Sequence, residues 1–166
     1  WYDCRCDSQV MIRLRLALPA AEGMHTMARP TILIVDDVPT LAHTYSSFLT
    51  REGATIRTAA TGAEALRLLA EAPSVVLLDV NLPDMNGLDI LREIKRRAIP
   101  TEVVVITSNG SINLAVDAMR EGAFDFVVKP CTAERLRVTV RNALERRSLS
   151  ATVETLKDEF NREAFC

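Results

Sequence analysis

The sequence predicts an α/β domain in which a parallel sheet carries helices on both faces. Three observations predict it. Short apolar runs recur from Thr31 onward, of the kind that form strands buried on both sides. Between them lie stretches whose apolar residues return every three or four positions, the spacing of a helix with one covered face. Strand and helix segments alternate roughly five times, and right-handed crossovers bring each strand's carboxyl end to one rim.

Ile32–Val35, in the stretch TILIVDDVPT, is the first run. Pro39 then opens a helix, pre-set for the first helical position, with Leu41, Tyr45, Phe48 and Leu49 on one face. Gly53 ends it, and Ala54–Ala59 alternates polar and apolar residues as an edge strand does. Thr61 marks the next helix start, with Ala65, Leu66, Leu69 and Ala70 sharing a face. Val75–Leu78 is the third strand, followed by a helix presenting Leu88, Leu91 and Ile94. Val103–Ile106 is the fourth, followed by Leu114, Ala115, Ala118 and Met119, and Gly122 closes that helix. Phe126–Val128 is the last strand, and Leu136, Val140 and Leu144 face the sheet from the last helix.

That helix has no glycine or proline to stop it after Leu144. Leu149, Val153, Leu156 and Phe160 then form a short heptad seam, expected to pair with a second helix or to lead into another domain. The alternative is an amphipathic helix folded back on its own domain. Residues 1–29 differ in character and are expected to be a poorly ordered extension. MIRLRLALPAA within them is too short and too broken by Arg13 and Arg15 for a signal peptide. The expected organisation is therefore extension 1–29, folded domain 30–144 and helical linker 145–166.

With 166 residues, 48% hydrophobic and 25% charged, the chain reads as a globular domain with something appended. A net charge of −2 offers no nucleic-acid surface, and no apolar run is long enough to span a bilayer. Six glycines and few aromatics argue against a β-sandwich. Cys4, Cys6, Cys131 and Cys166 lack zinc-ligand spacing and read as reduced thiols of a cytoplasmic protein.

The residues after each run carry the chemistry. The first run ends in Asp36-Asp37, the third in Asp79, the fourth in Thr107-Ser108 and the last in Lys129-Pro130. A parallel sheet gathers these at one rim, where ligands of such folds bind. Adjacent buried carboxylates repel and resist desolvation, so something must offset them. A hard divalent cation does so, and magnesium suits an all-oxygen donor set. A phosphoryl group there would meet the metal, the Lys129 ammonium and the Thr107 hydroxyl, and an aspartate can attack it to form an acyl phosphate. Singly, each residue has a plainer reading: Asp37 as a helix cap, Thr107 as a cap for the next helix, Lys129 as a solvated turn residue.

Over Pro30 to Leu144 the sequence resembles the receiver domain of bacterial two-component response regulators. The likeness rests on LIVDD, VVLLDVNLPDMNGLD, VVVITS and FDFVVKP. It implies a flavodoxin-like, CheY-like fold with five strands in the order 2-1-3-4-5. It implies Asp79 as phosphoacceptor, with Pro83 and Gly87 shaping its loop. Asp37 and Asp79 would ligate Mg2+ directly with the Asn81 carbonyl, and Asp36 through a water. Thr107 and Phe126 would form the switch pair, and Lys129 would meet the phosphoryl oxygen. The donor would be a sensor histidine kinase or histidine phosphotransfer protein, with magnesium-dependent self-phosphorylation and autodephosphorylation expected of a signalling domain that is not an enzyme.

TSNGSINLAVDAMREGAFDFVVKP is similar to receivers of NtrC-type, sigma-54-dependent activators, and LKDEFNREAFC to their LuxO-like, quorum-sensing branch. Those continue into an ATPase and a DNA-binding unit, yet no GxxxxGKS or GxxxxGKT occurs here. The expectation is a receiver with its linker and no direct nucleic-acid or membrane contact. It would dimerise through the last βα units and the C-terminal helix. Two positions depart from the pattern: Ser108-Asn109 replaces the more usual alanine and histidine, and Cys131 a bulkier apolar residue. Two rival readings share the pocket. A haloacid dehalogenase-type phosphatase would use Asp36 as nucleophile, but Val38 stands where its general acid belongs. A pseudo-receiver would never take phosphate, although such chains usually lose an acid or the lysine.

Overall fold

The computed structural model describes residues 28–164. The extension expected over residues 1–29 lies almost wholly outside the described residues. Five parallel strands form one sheet: β1 Thr31–Val35, β2 Thr55–Ala59, β3 Val75–Asp79, β4 Glu102–Thr107 and β5 Asp125–Val128. Their order is β2-β1-β3-β4-β5, as the resemblance implied. The helices are α1 Pro39–Leu49, α2 Gly62–Leu68, α3 Gly87–Arg96, α4 Ile112–Arg120 and α5 Ala133–Ala164.

The period of two in each strand divides the core. Leu33, Val35, Val76, Leu78, Val103 and Val105 point to one side, where α2, α3 and α4 cover them with residues such as Ala65, Leu91, Ile94 and Ala118. Ile32, Ile34, Val75, Leu77, Val104 and Ile106 point to the other, under Tyr45 and Leu49 of α1 and Leu136 and Val140 of α5. Both parities are therefore apolar in β1, β3 and β4, which is why these strands read as unbroken runs. Strand β2 lies at the edge and is mostly exposed, as its alternation indicated.

Local chemistry sets the helix ends. Thr61 accepts the Glu64 amide at 3.2 Å while Glu64 accepts the Ala60 amide at 3.0 Å, a reciprocal cap on α2. Asn86 caps α3 and Ser111 caps α4. Pro39 begins α1 as expected. Gly53 (φ 68°) and Gly122 (φ 90°) take left-handed conformations beyond helix ends, the role their positions suggested. Two short 3₁₀ turns, Thr50–Glu52 and Leu69–Glu71, tighten the exits of α1 and α2. Met119, which helical spacing places among the core-facing residues of α4, is instead 48% exposed, because only Ala118 on that helix is fully covered.

Helix α5 runs unbroken for 32 residues, about 48 Å. Its first turns are seated by Leu136, Val140 and Ala143, and Arg137 donates to the Phe48 carbonyl at 2.9 Å. Leu149, Val153, Leu156 and Phe160 are all exposed. Leu149 lies about two and a half turns beyond Val140, on the opposite side of the helix from the core. The seam faces away from its own domain, so the folded-back alternative fails.

Candidate functional site: an acidic crevice at the carboxyl edge

Crossovers of one hand place the carboxyl ends of β1, β3, β4 and β5 side by side. Asp36 follows β1 and Asp79 ends β3, and both are buried, at 4% and 6% exposure, whereas Asp37 is exposed. Carboxylate oxygens of Asp36, Asp37 and Asp79 lie within 4.8 Å of one another. Lys129, just past β5, sends its Nζ between the two buried acids, 2.7 Å from Asp36 Oδ2 and 2.6 Å from Asp79 Oδ2. Burial alone would push that ammonium's pKa down. Hydrogen bonds to Asp36 and Asp79 outweigh burial and hold it above the ordinary lysine value.

The backbone completes the crevice. The Val38 amide donates to Asp36 Oδ1 at 2.9 Å, and the Asn81 amide to Asp79 Oδ1 at 3.1 Å. Thr107, fully buried at the end of β4, accepts the Asn109 amide on its hydroxyl at 3.2 Å. Its carbonyl accepts the Lys129 amide at 2.8 Å, tying the threonine's strand to the lysine's loop. Phe126 on β5 is half-buried and borders an apolar groove with Gly110, Ala115 and Met119. None of the plainer roles holds. Val38, not Asp37, precedes α1, Ser111 rather than Thr107 caps α4, and the Lys129 side chain is only 11% exposed.

Glycine matters at one point in this site. A Cβ on Gly87 would stand 2.1 Å from the Asp79 carbonyl oxygen, so the loop after β3 closes this tightly only over a glycine. Gly87→Ala is expected to destabilise the domain by about 1–3 kcal/mol, as overpacking does. Urea unfolding checks this; an unchanged midpoint would show that the loop relaxes freely.

The family model for the response regulator receiver domain matches residues 32–141. The chain belongs to that family. It is 43% identical over 116 residues to the regulatory protein LuxO of Vibrio cholerae, covering 69% of this chain and 26% of that protein. It is 38% identical over 133 residues to the alginate biosynthesis transcriptional regulatory protein AlgB of Pseudomonas aeruginosa, covering 80% of this chain and 30% of that one. The crystal structure of a LuxO-type signal receiver domain from Vibrio parahaemolyticus superposes with a TM-score of 0.74 at 38% identity, over 76% of this chain and 98% of that one. The chain thus spans about a quarter to a third of the curated relatives it matches. The LuxO-like resemblance read from the sequence stands, and the phosphatase reading is set aside.

Two residues near the receiver site escape a reading of the sequence. Helical spacing assigns Tyr45 to the core and nothing more. Its phenol is driven well above the ordinary range, first by burial and then by Cys131 and Asp36 nearby, and its hydroxyl faces the Cys131 thiol. An aromatic ring from α1 therefore packs where Cys131 leaves the last loop small. Asp84 is only a letter in the loop motif, and its partners are 21 and 22 residues away. No short-range spacing signals such a contact. Among the described residues, no helix is long and apolar enough to cross a membrane.

Proposed function

We propose that this receiver domain accepts a phosphoryl group on Asp79 and passes the change to a transcription-activating output. The observation that carries this reading is the bridging of buried Asp36 and Asp79 by Lys129, with Asp37 alongside. Three carboxylates at one rim make an all-oxygen set that fits magnesium. Asp37, Asp79 and the Asn81 carbonyl would hold it directly, with Asp36 acting through a water. Bound there, the cation would neutralise charge on the transferred phosphoryl group.

The protein's own groups do the rest. An Asp79 carboxylate oxygen attacks phosphorus, an O–P bond forms, and the N–P bond to the donor histidine breaks as the imidazole leaves. Lys129 moves from the carboxylates to a phosphoryl oxygen, a charge-assisted contact. Thr107, already beside that loop, turns its hydroxyl to the same group, and Phe126 follows inward. The new dianion thereby favours one of two packings of the last βα units. The donor class is a sensor histidine kinase or a histidine phosphotransfer protein. Residues 30–144 act as receiver and 145–166 as linker in a cytoplasmic protein of the sigma-54-dependent, quorum-sensing kind.

The test uses acetyl phosphate with and without Mg2+. The expected result is a mass gain of one phosphoryl group that EDTA abolishes. No gain with metal present would leave a pseudo-receiver. Phosphorylation is also expected to promote dimerisation through the α4–β5 face and the seam of α5, which are exposed and apolar. Sedimentation with beryllium fluoride should show a heavier species; identical masses would contradict the dimer.

A further inference from the structure

The loop between β3 and α3 is fastened at two ends. Near β3, the Asn81 amide donates to Asp79 Oδ1, Asn81 and Asn86 form an antiparallel bridge, and the Gly87 amide donates to the Val80 carbonyl at 2.8 Å. At its far end Asp84 reaches across to α2. Oδ1 accepts the Gly62 amide at 2.8 Å and Oδ2 accepts the Ala63 amide at 2.9 Å. Both carboxylate oxygens are thus spent on neighbouring backbone donors. Those bonds, Gly62 first, hold the carboxyl below its usual pKa, so it stays ionised. The next residue strengthens the fastening. Met85 lies across Gly62 so closely that a Cβ there would stand 2.4 Å from the Met85 Cγ.

The only loop residue expected to ligate the metal, Asn81, belongs to the first of these fastenings, and the Asp84 clamp holds the other end of the same loop. A backbone carbonyl has no rotamer of its own. Its direction is set by the peptide, and the peptide by whatever anchors the loop. We propose that Asp84 is a positioning residue for the magnesium site: its two-oxygen clamp on α2 holds the loop so that the Asn81 peptide stays directed beside Asp37 and Asp79. The inference rests on the proposed metal site, but assigns it a determinant that touches neither metal nor phosphoryl group. Groups that orient a metal's ligands change affinity about tenfold or more when removed.

The experiment measures Mg2+ binding to the metal-free protein by calorimetric titration, with Mg2+ alone as probe. Asp84→Ala is expected to weaken binding about tenfold. Asp84→Asn, which keeps one acceptor oxygen, should fall between it and the unsubstituted protein. Amide exchange of the metal-free protein supplies the second readout: Asn81 should lose protection together with Gly62 and Ala63. At saturating Mg2+ the rate of phosphorylation by acetyl phosphate should return to within about twofold of the unsubstituted protein, because the reacting groups are intact. Unchanged Mg2+ affinity in Asp84→Ala would overturn the proposal. So would faster exchange confined to Gly62 and Ala63, since the clamp would then be structural only. If Asp84→Ala does not fold, Asp84→Asn carries the test, and Mg2+ affinity equal to the unsubstituted protein overturns the proposal there too. Failure of the unsubstituted protein to bind Mg2+ would instead remove the metal reading itself.

Discussion

Replacing Lys129 with methionine is expected to lower the stability of the metal-free domain by about 3–5 kcal/mol, the cost of stripping one partner from a buried ionic group. Methionine keeps the aliphatic stem and removes only the charge. What remains is Asp36 and Asp79 at 3% and 8% side-chain exposure, with no ammonium between them. Urea unfolding in EDTA measures the loss. Adding Mg2+ should recover a large part of it, because a ligand bound only by the folded state adds stability by mass action. A Lys129→Met protein as stable as the parent without metal would mean that the carboxylates are not charged neighbours.

The pH dependence of that difference has a definite sign. Lys129 in the folded chain has a pKa raised above the ordinary lysine value. Its contribution is therefore complete below the unfolded-state value and disappears as pH climbs through the raised folded-state value. The gap between the parent and Lys129→Met should stay flat from neutral to mildly alkaline pH and close only in strong alkali.

Asp79→Asn is expected to do the reverse: little to stability and everything to chemistry. Asparagine keeps one acceptor oxygen where the carboxylate used two, so either the Lys129 ammonium or the Asn81 amide loses its bond there, while the loss of a negative charge works the other way. One of three mutually repelling acids has gone, so the unfolding free energy should move by less than about 1 kcal/mol. An amide oxygen is no nucleophile toward phosphorus at neutral pH, and phosphorylation should fall to background. Intact mass after acetyl phosphate treatment checks this. A phosphoryl adduct that survives in the Asp79→Asn protein would place the acceptor elsewhere. Together the two substitutions separate what holds the crevice from what reacts in it.

Much of this was legible because the sheet is covered on both sides. Continuous apolar runs gave β1, β3 and β4, and the alternation in β2 marked the edge, since its outer face meets water. The order of strands was not legible from the runs, which look alike. It came with the family resemblance and agrees with the structure. The residues ending each strand could be read as one site because topology brings the ends together. Asp36, Asp37, Asp79 and Lys129 do converge.

What escaped depends on contacts between distant segments. The Asp84 clamp joins a loop to a helix start 22 residues earlier, and the Tyr45 hydroxyl meets a thiol far along the chain. Helical periodicity placed Met119 on the covered side of α4, but it could not say that Met119 would line an open groove beside Phe126 and Val128 of β5. For α5, the lack of a breaker correctly indicated a continuous helix. The seam's direction required knowing which turn seats Val140.

The most direct measurement is to trap the acyl phosphate. After treatment with acetyl phosphate and Mg2+, borohydride reduction converts the phosphorylated aspartate to homoserine, and peptide mass spectrometry locates it. The predicted result is homoserine at position 79 alone, appearing only with Mg2+. Homoserine at position 36 or 37, or a metal-independent yield at 79, would contradict it.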